Sequence, residues 1–108
     1  MTDYKLVLTT TASEDDAQKI ARALVQRRLA ACVNIVPRIQ SVYRWKGNVE
    51  EAQEWLLLIK TTGEAFDRVQ ETIQEHHSYG LPECICVPIE KGSAAYLEWI
   101  VDSVVPEE

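Results

Sequence analysis

Two predicted strands of this chain are apolar on both faces, and this limits the folds that the chain can adopt. The first covers residues 54–62 (EWLLLIKTT) and the second covers residues 83–89 (ECICVPI). Because successive side chains of a strand point to opposite faces, a sheet with one solvated face alternates apolar and polar residues. Helices can cover only one face of a single sheet, and soluble monomers avoid a large bare apolar patch. The two strands therefore predict a sheet that packs on helices with one face and on another subunit with the other.

Helix and strand patterns alternate along the rest of the chain. Residues 4–10 and 31–44 have the β-branched, extended character of strands. Apolar residues at helical spacing follow Ser13 and Ser93, two candidate N-caps, and also cover residues 64–77. The order β-α-β-β-α-β with one further helix predicts an α+β fold, the ferredoxin-like sandwich with an extra C-terminal helix.

The second and third strands form a hairpin that is long for a chain of 108 residues. Pro37 interrupts its first arm, and since proline cannot donate to a β-ladder, we expect an edge position or a bulge there. Residues 45–48 (WKGN) are a turn candidate. The hairpin should overhang its own sheet and could pair with a neighbouring subunit. The chain length suits one domain, 1–108, and we expect residues 106–108 to be frayed.

Charge and cysteine content narrow the class of protein. Acidic residues outnumber basic ones by 17 to 11, which gives a net charge of -6. Such a field repels phosphate backbones, so we expect no nucleic acid partner. No apolar run approaches the roughly 20 residues of a membrane helix, and we expect no membrane partner. The three cysteines, Cys32, Cys84 and Cys86, suit a reducing cytoplasm, and we interpret them as packing residues, with a soft-metal site or a reactive thiol as alternatives.

The sequence shows no grouping of residues that is typical of catalysis. Its two histidines, His76 and His77, are adjacent, and its four glycines are isolated, so no phosphate-binding loop is predicted. Catalysis requires a nucleophile with a base, paired carboxylates or a metal with an open position. Glu50 and Glu51 form the only acidic pair near the hairpin, and we interpret them as solvated charges. We therefore expect a binding protein and no enzyme.

Five short motifs follow one another over nearly the whole chain. They are AACVNI from Ala30, SVYRWKG from Ser41, Glu54 with IKT at 59–61, HHSYGLPE from His76, and YLEWI from Tyr96. In this order they resemble the CutA family, the divalent-cation tolerance proteins. The resemblance implies a homotrimer of ferredoxin-like subunits, similar in shape to the PII signalling proteins. It also implies a role in tolerance of copper and other divalent cations, with no established enzymatic reaction.

The resemblance further implies a metal site at His76 and His77, with Cu(II) as the expected cation. Imidazole suits Cu(II), but adjacent helical side chains diverge by about 100°, so both can bind one ion only where the helix ends. Some relatives have a cysteine as a third ligand at the end of the first strand, where this chain has Thr9. The family usually has a proline at Ser78. The alternative is that His77 closes the helix with its ring bonded to backbone or to a carboxylate.

A second group of family-typical residues could line a cleft between subunits, with aromatic walls and a few charges. Its members are Cys32, Tyr43, Trp45, Glu54, Lys60, Tyr79 and Glu83. Pockets of this type bind small ligands, so the chain could be a PII-like sensor or adaptor. The alternative is structural: Lys60 forms an interface ion pair with Glu54 or Glu83, and the aromatic residues anchor the interface. No organic cofactor is predicted.

Overall fold

A computed structural model describes residues 3–105 of the chain. Four strands form one antiparallel sheet in the order β2-β3-β1-β4. They are β1 (Tyr4–Thr11), β2 (Cys32–Trp45), β3 (Asn48–Thr62) and β4 (Ile85–Pro88). The strand predicted at 83–89 is thus shorter than expected at both ends, although the N–H of Ile89 still donates a hydrogen bond to the carbonyl of Tyr4. The end that we expected to be frayed, 106–108, lies outside the described residues.

Three helices follow the predicted order: α1 (Glu14–Gln26), α2 (Phe66–His76) and α3 (Ala94–Ser103). Both predicted N-caps are confirmed, because the hydroxyls of Ser13 and Ser93 each accept a hydrogen bond from the backbone N–H three residues on. The prediction of a helix over 64–77 was too long at both ends. A 3₁₀ turn, Gly63–Ala65, precedes α2, and His77 has an extended backbone with φ -93° and ψ 140°.

The main core lies between the sheet and the helices α1 and α2. Its strand residues are the fully buried Val7, Leu57 and Ile59, which share one sheet face. The helices add further buried side chains, namely Ala17, Ile20, Leu24, Val69 and Ile73, and Val104 joins them from beyond α3. Each of these side chains contributes about 1.5–3 kcal/mol by burial of its apolar surface, less for alanine.

The second sheet face is apolar as well, which confirms that the strands are apolar on both faces. We define this face by the residues whose ladder partners place them opposite the core: Leu6, Leu8, Val36, Leu56, Leu58, Ile85 and Val87. All seven remain partly or largely accessible, and Ile85 is 50% exposed. The helix α3 lies against β3 and β1, and none of the described helices is long and apolar enough to span a membrane.

The hairpin extends beyond the rest of the sheet, as predicted. β1 pairs with β3 only from Trp55 to Thr62, whereas β2 follows β3 to the pair between Trp45 and Asn48. Residues 39–54 therefore form a two-stranded ribbon. The register shifts between Val36 and Ile39, so the bulge expected at Pro37 is confirmed, on a strand that also lies at the sheet edge.

Candidate functional site

A cavity of about 750 Å³ lies beside the base of the overhanging hairpin. We call it the hairpin cavity and define it by its lining residues, which come from β1, from both hairpin strands and from the segment after α2. They are Thr10, Ser41, Val42, Tyr43, Trp45, Glu54, Ser78, Tyr79, Gly80, Leu81 and Glu83. Five of the seven residues predicted to line a cleft are among them. The structure thus brings together Tyr43, Trp45, Glu54, Tyr79 and Glu83.

Glu54 is the buried acid of this cavity. It lies on β3 just beyond the last pair with β1, where the two-stranded ribbon begins, and only 7% of it is exposed. The hydroxyl of Tyr79 donates a hydrogen bond of 2.7 Å to Glu54 Oε2. Burial, and secondly this bond to a carboxylate, raise the pKa of Tyr79, so the phenol keeps its proton at neutral pH. The pair is therefore a carboxylate held in place by a phenol.

His77 positions Tyr79 through two backbone hydrogen bonds. The N–H of Tyr79 donates to His77 Nδ1 at 3.1 Å, which leaves the ring proton on Nε2. This Nε2–H donates to the carbonyl of Thr10 at 2.5 Å, across 67 residues of sequence. The two rings also pack against each other, with centroids 4.8 Å apart. The ring thus closes the helix against backbone, as the structural alternative predicted.

Glu83 is the second acid of the cavity. Burial and, to a smaller extent, the charge of Glu54 raise the pKa of the Glu83 carboxyl. The charges of the two acids therefore act on each other across the cavity. Both charged residues of the lining are acidic.

Cys32 and Lys60 do not line this cavity within one subunit, and their place in a cleft between subunits stays a prediction. They face each other across the ladder of β2 and β3, six positions along β3 from Glu54, which is about 20 Å in a strand. Lys60 Nζ donates to Asn34 Oδ1, and Cys32 Sγ lies 3.8 Å from the same oxygen. The two residues were grouped with the cleft because they occur in motifs typical of the family. Such motifs do not indicate how far apart residues lie along a sheet. An ion pair of Lys60 across an interface stays a prediction.

Several lining residues were not predicted. Ser41, like Tyr43 and Trp45, follows the period of two along β2, and this alternation was an available signal. Val42 lines the cavity as well but does not follow this alternation. Gly80 and Leu81 lie between the predicted residues Tyr79 and Glu83, and Ser78 directly precedes Tyr79. Nothing in the sequence indicated Thr10, because its place depends on the contact between β1 and the segment after α2.

Comparison with known proteins identifies the family. The family model described as "CutA1 divalent ion tolerance protein" matches residues 5–103. The chain belongs to the CutA1 family. It is similar to the "Divalent-cation tolerance protein CutA" of Thermus thermophilus, with 51% identity over 96 residues that cover 89% of this chain and 93% of that protein.

Two further comparisons agree with this assignment. The "Protein CutA homolog" of Xenopus laevis is 46% identical over 91% of this chain, which spans 64% of that longer protein. A solved structure of the Thermus thermophilus divalent cation tolerance protein (Cut A1) superimposes with a TM-score of 0.92 at 48% identity, covering 94% of this chain and 99% of that one. The CutA1 fold is thus shared over almost the whole chain.

The histidine pair of this CutA1 chain does not match a copper centre in its folded geometry. His76 Nδ1 lies 3.0 Å from the carbonyl of Thr72, and both ring nitrogens of His77 have backbone partners. Thr9 is fully buried on the core face, and its hydroxyl has no hydrogen-bond partner. Within residues 3–105, no group of three or more His, Cys, Asp or Glu side chains could hold a metal ion. A metal at His77 would require that its ring leave Thr10 and Tyr79.

The cysteines of this CutA1 chain are all free thiols within the described residues. Cys84 packs against the main core, which agrees with its interpretation as a packing residue. Cys86 is exposed on the edge strand β4, so its assignment to the core was wrong. Burial raises the pKa of both thiols, and this disfavours the thiolate form that binds soft metals.

Proposed function

We propose that this protein contributes to the tolerance of divalent cations, as a homotrimeric binding protein without catalytic activity. The observation that carries the proposal is the family match over residues 5–103, with a relative named for divalent-cation tolerance at 51% identity.

The second sheet face and the hairpin support the trimer. Seven apolar residues on one face of a small domain are a patch that soluble proteins normally cover. The two-stranded ribbon of residues 39–54 has an unpaired edge that a second copy can extend. The strand order β2-β3-β1-β4 supports the ferredoxin-like, PII-like arrangement within each subunit.

Free cysteines support a reducing, cytoplasmic environment.

Growth in the presence of copper tests the tolerance role. A bacterial strain that lacks its own CutA-type protein should regain growth at inhibitory copper concentrations when it expresses this chain. An inactive control is the Leu57→Asp variant, whose buried charge disrupts the core. If the wild-type chain restores no growth at any inhibitory copper concentration, the tolerance role is contradicted.

Copper binding at His76 and His77 is a finer part of the proposal and needs its own test. Native mass spectra of chelator-stripped protein should be recorded before and after one equivalent of Cu(II) per chain. Gain of one copper per chain, absent from the His76→Ala/His77→Ala variant, would support the site. Since three of the four imidazole nitrogens already have partners, we expect weak binding, and no specific copper gain would contradict the site.

The hairpin cavity supports a second function, the binding of a small ligand by a PII-like sensor or adaptor. Its volume of about 750 Å³ lies in the range of small-molecule sites. Its aromatic walls and few polar groups are typical of such sites as well. The hairpin that lines it is also the ribbon that could pair with a neighbour, so occupancy and assembly would be coupled through the same residues. A ligand for the cavity is the direct test.

A further inference from the structure

The charge of the hairpin cavity indicates the sign of its ligand. Its charged lining residues are Glu54 and Glu83, and the described lining contains no Lys, Arg or His. Two carboxylates repel a phosphate or a carboxylate ligand, because nothing in the lining compensates like charge. The cavity therefore favours a cation over an anion.

The burial of Glu54 strengthens this preference. Only 7% of the residue is exposed, and its hydrogen bond comes from the neutral phenol of Tyr79. The ion pairs of residues 3–105 do not include Glu54. Burial of an ionised carboxylate without a cationic partner is unfavourable, so a ligand cation would supply the missing charge.

The walls of the cavity indicate that the cation is organic. Tyr43, Trp45 and Tyr79 present aromatic rings, and Val42 and Leu81 add apolar surface. An ammonium group is attracted to the face of an aromatic ring, most strongly to that of tryptophan. Lys46 Nζ lies 5.9 Å from the ring centroid of Trp45, so the chain's own ammonium group already approaches this ring. The rings of Tyr43 and Tyr79 have no such contact among those described.

A bare metal ion does not fit the same site. The cavity of about 750 Å³ has room for an organic molecule, whereas a metal needs several ligands close together. The described part of the chain has no group of three or more potential metal ligands, in this cavity or outside it. Apolar side chains would also offer no ligand atoms to replace the water molecules that a metal ion gives up on binding.

We propose that the hairpin cavity binds a small organic ammonium cation, with its charge beside the carboxylates of Glu54 and Glu83 and its alkyl groups against Tyr43 and Tyr79. The proposal rests on the second proposed function, ligand binding in the cavity, and names the chemical class of the ligand. It does not require copper binding at His76 and His77, so a negative result in the copper titration would leave it unchanged.

Tetramethylammonium chloride is a suitable probe, with tert-butanol as a neutral compound of similar shape and sodium chloride as the ionic-strength control. Each is titrated into the isotope-labelled native oligomer while backbone amide shifts are recorded. We expect saturable shifts at residues 41–45 and 78–83 with tetramethylammonium alone. Glu54→Gln and Glu83→Gln should each weaken binding by about tenfold. Glu51→Gln removes a charge from the same hairpin outside the lining and should leave the affinity unchanged.

Contrary results separate the ligand class from the cavity function. Equal saturable shifts with tert-butanol, or an unchanged affinity in both charge variants, would overturn the ammonium assignment and leave ligand binding in the cavity in place. Absence of localised shifts with both compounds would overturn the assignment together with the cavity function. If Glu54→Gln fails to fold, Tyr43→Leu replaces it, because Tyr43 is 44% exposed and its loss should weaken the binding of the cation.

Discussion

At the scale of single residues, the site depends on a short relay of hydrogen bonds from backbone to carboxylate. His77 joins the carbonyl of Thr10 to the N–H of Tyr79, and Tyr79 in turn holds Glu54. Each link lies in a partly buried place, where a hydrogen bond within the protein replaces one to water. The histidine that the sequence marked as a metal ligand thus has a structural role that explains its position at the end of α2.

Removal of the Tyr79 hydroxyl should destabilise the protein. Tyr79→Phe keeps the ring but leaves the nine-tenths buried Glu54 without its donor, and we expect a loss of about 1–3 kcal/mol in the free energy of unfolding. Urea unfolding measures this loss. The matched control is Tyr43→Phe, which removes the hydroxyl of a tyrosine that is 44% exposed and should change stability by less than about 0.5 kcal/mol. Equal effects of the two variants would show that the bond to Glu54 contributes nothing.

The raised pKa of Glu83 predicts a pH-dependent gain of stability in Glu83→Gln. A carboxyl whose pKa is higher in the folded state stabilises that state below its unfolded pKa, and this stabilisation is lost as pH rises through the folded pKa. The variant has no charge to bury, so it should melt above the wild type at neutral pH. The difference should vanish below the ordinary pKa of 4.5.

Thermal unfolding at several pH values tests this prediction for Glu83. Glu90→Gln is the control, because Glu90 is exposed like Glu83 but lies outside the cavity lining, so its effect should not change in the same way with pH. A Glu83→Gln variant that melts below the wild type at neutral pH would contradict the argument, since it would mean that the ionised carboxylate stabilises the folded protein.

At the scale of elements, the hairpin does most to shape the site. Its turn places Lys46 and Gly47 at φ 50° and 82°, the left-handed conformation of both central residues in a two-residue hairpin loop. Its bulge at Pro37 separates the part of β2 that belongs to the sheet from the part that belongs to the ribbon. The ribbon carries Tyr43 and Trp45 to the hairpin cavity, so the geometry of the site depends on the geometry of the turn and the bulge.

Substitution of the turn glycine should weaken the hairpin through backbone conformation alone. No atom lies within 4 Å of a Cβ built on Gly47, so Gly47→Ala causes no clash, but the left-handed conformation costs an L-residue about 1 kcal/mol. Gly80→Ala is the matched control, because it is equally open and has no positive φ. Urea unfolding should show the loss for Gly47→Ala only. An equal loss for both would contradict the conformational explanation.

At the scale of the whole molecule, the strand β3 contributes side chains to two apolar layers, one on each face of the sheet. Leu57 is fully buried between the sheet and the helices, whereas its neighbour Leu58 points to the second sheet face and is partly accessible. In the proposed homotrimer, that second layer would be buried by other subunits. The two leucines therefore report on different levels of structure although they are adjacent in sequence.

Charged substitutions at these two leucines should have different consequences. Leu57→Asp places an unpaired charge in the core and should abolish folding, seen as loss of the circular dichroism signal. Leu58→Asp should leave the subunit folded and shift its mass in light scattering toward the monomer. Val25→Asp, on the exposed side of α1, is the control and should change neither. If Leu58→Asp remains a folded oligomer of full size, the second sheet face is not the interface.

The sequence by itself determined the order of elements, the N-caps at Ser13 and Ser93, the bulge at Pro37 and the apolar character of both sheet faces. These features follow from the periodicity of apolar residues and from local backbone chemistry, both of which depend on residues that are close together in the sequence. Only the tertiary structure decided that Tyr79 meets Glu54 across 25 residues, and that His77 binds the carbonyl of Thr10 across 67. The tertiary structure also showed that Cys32 and Lys60 do not line the cavity within one subunit. Such contacts depend on the path of the whole chain, and no local pattern encodes which distant backbone group a side chain will reach.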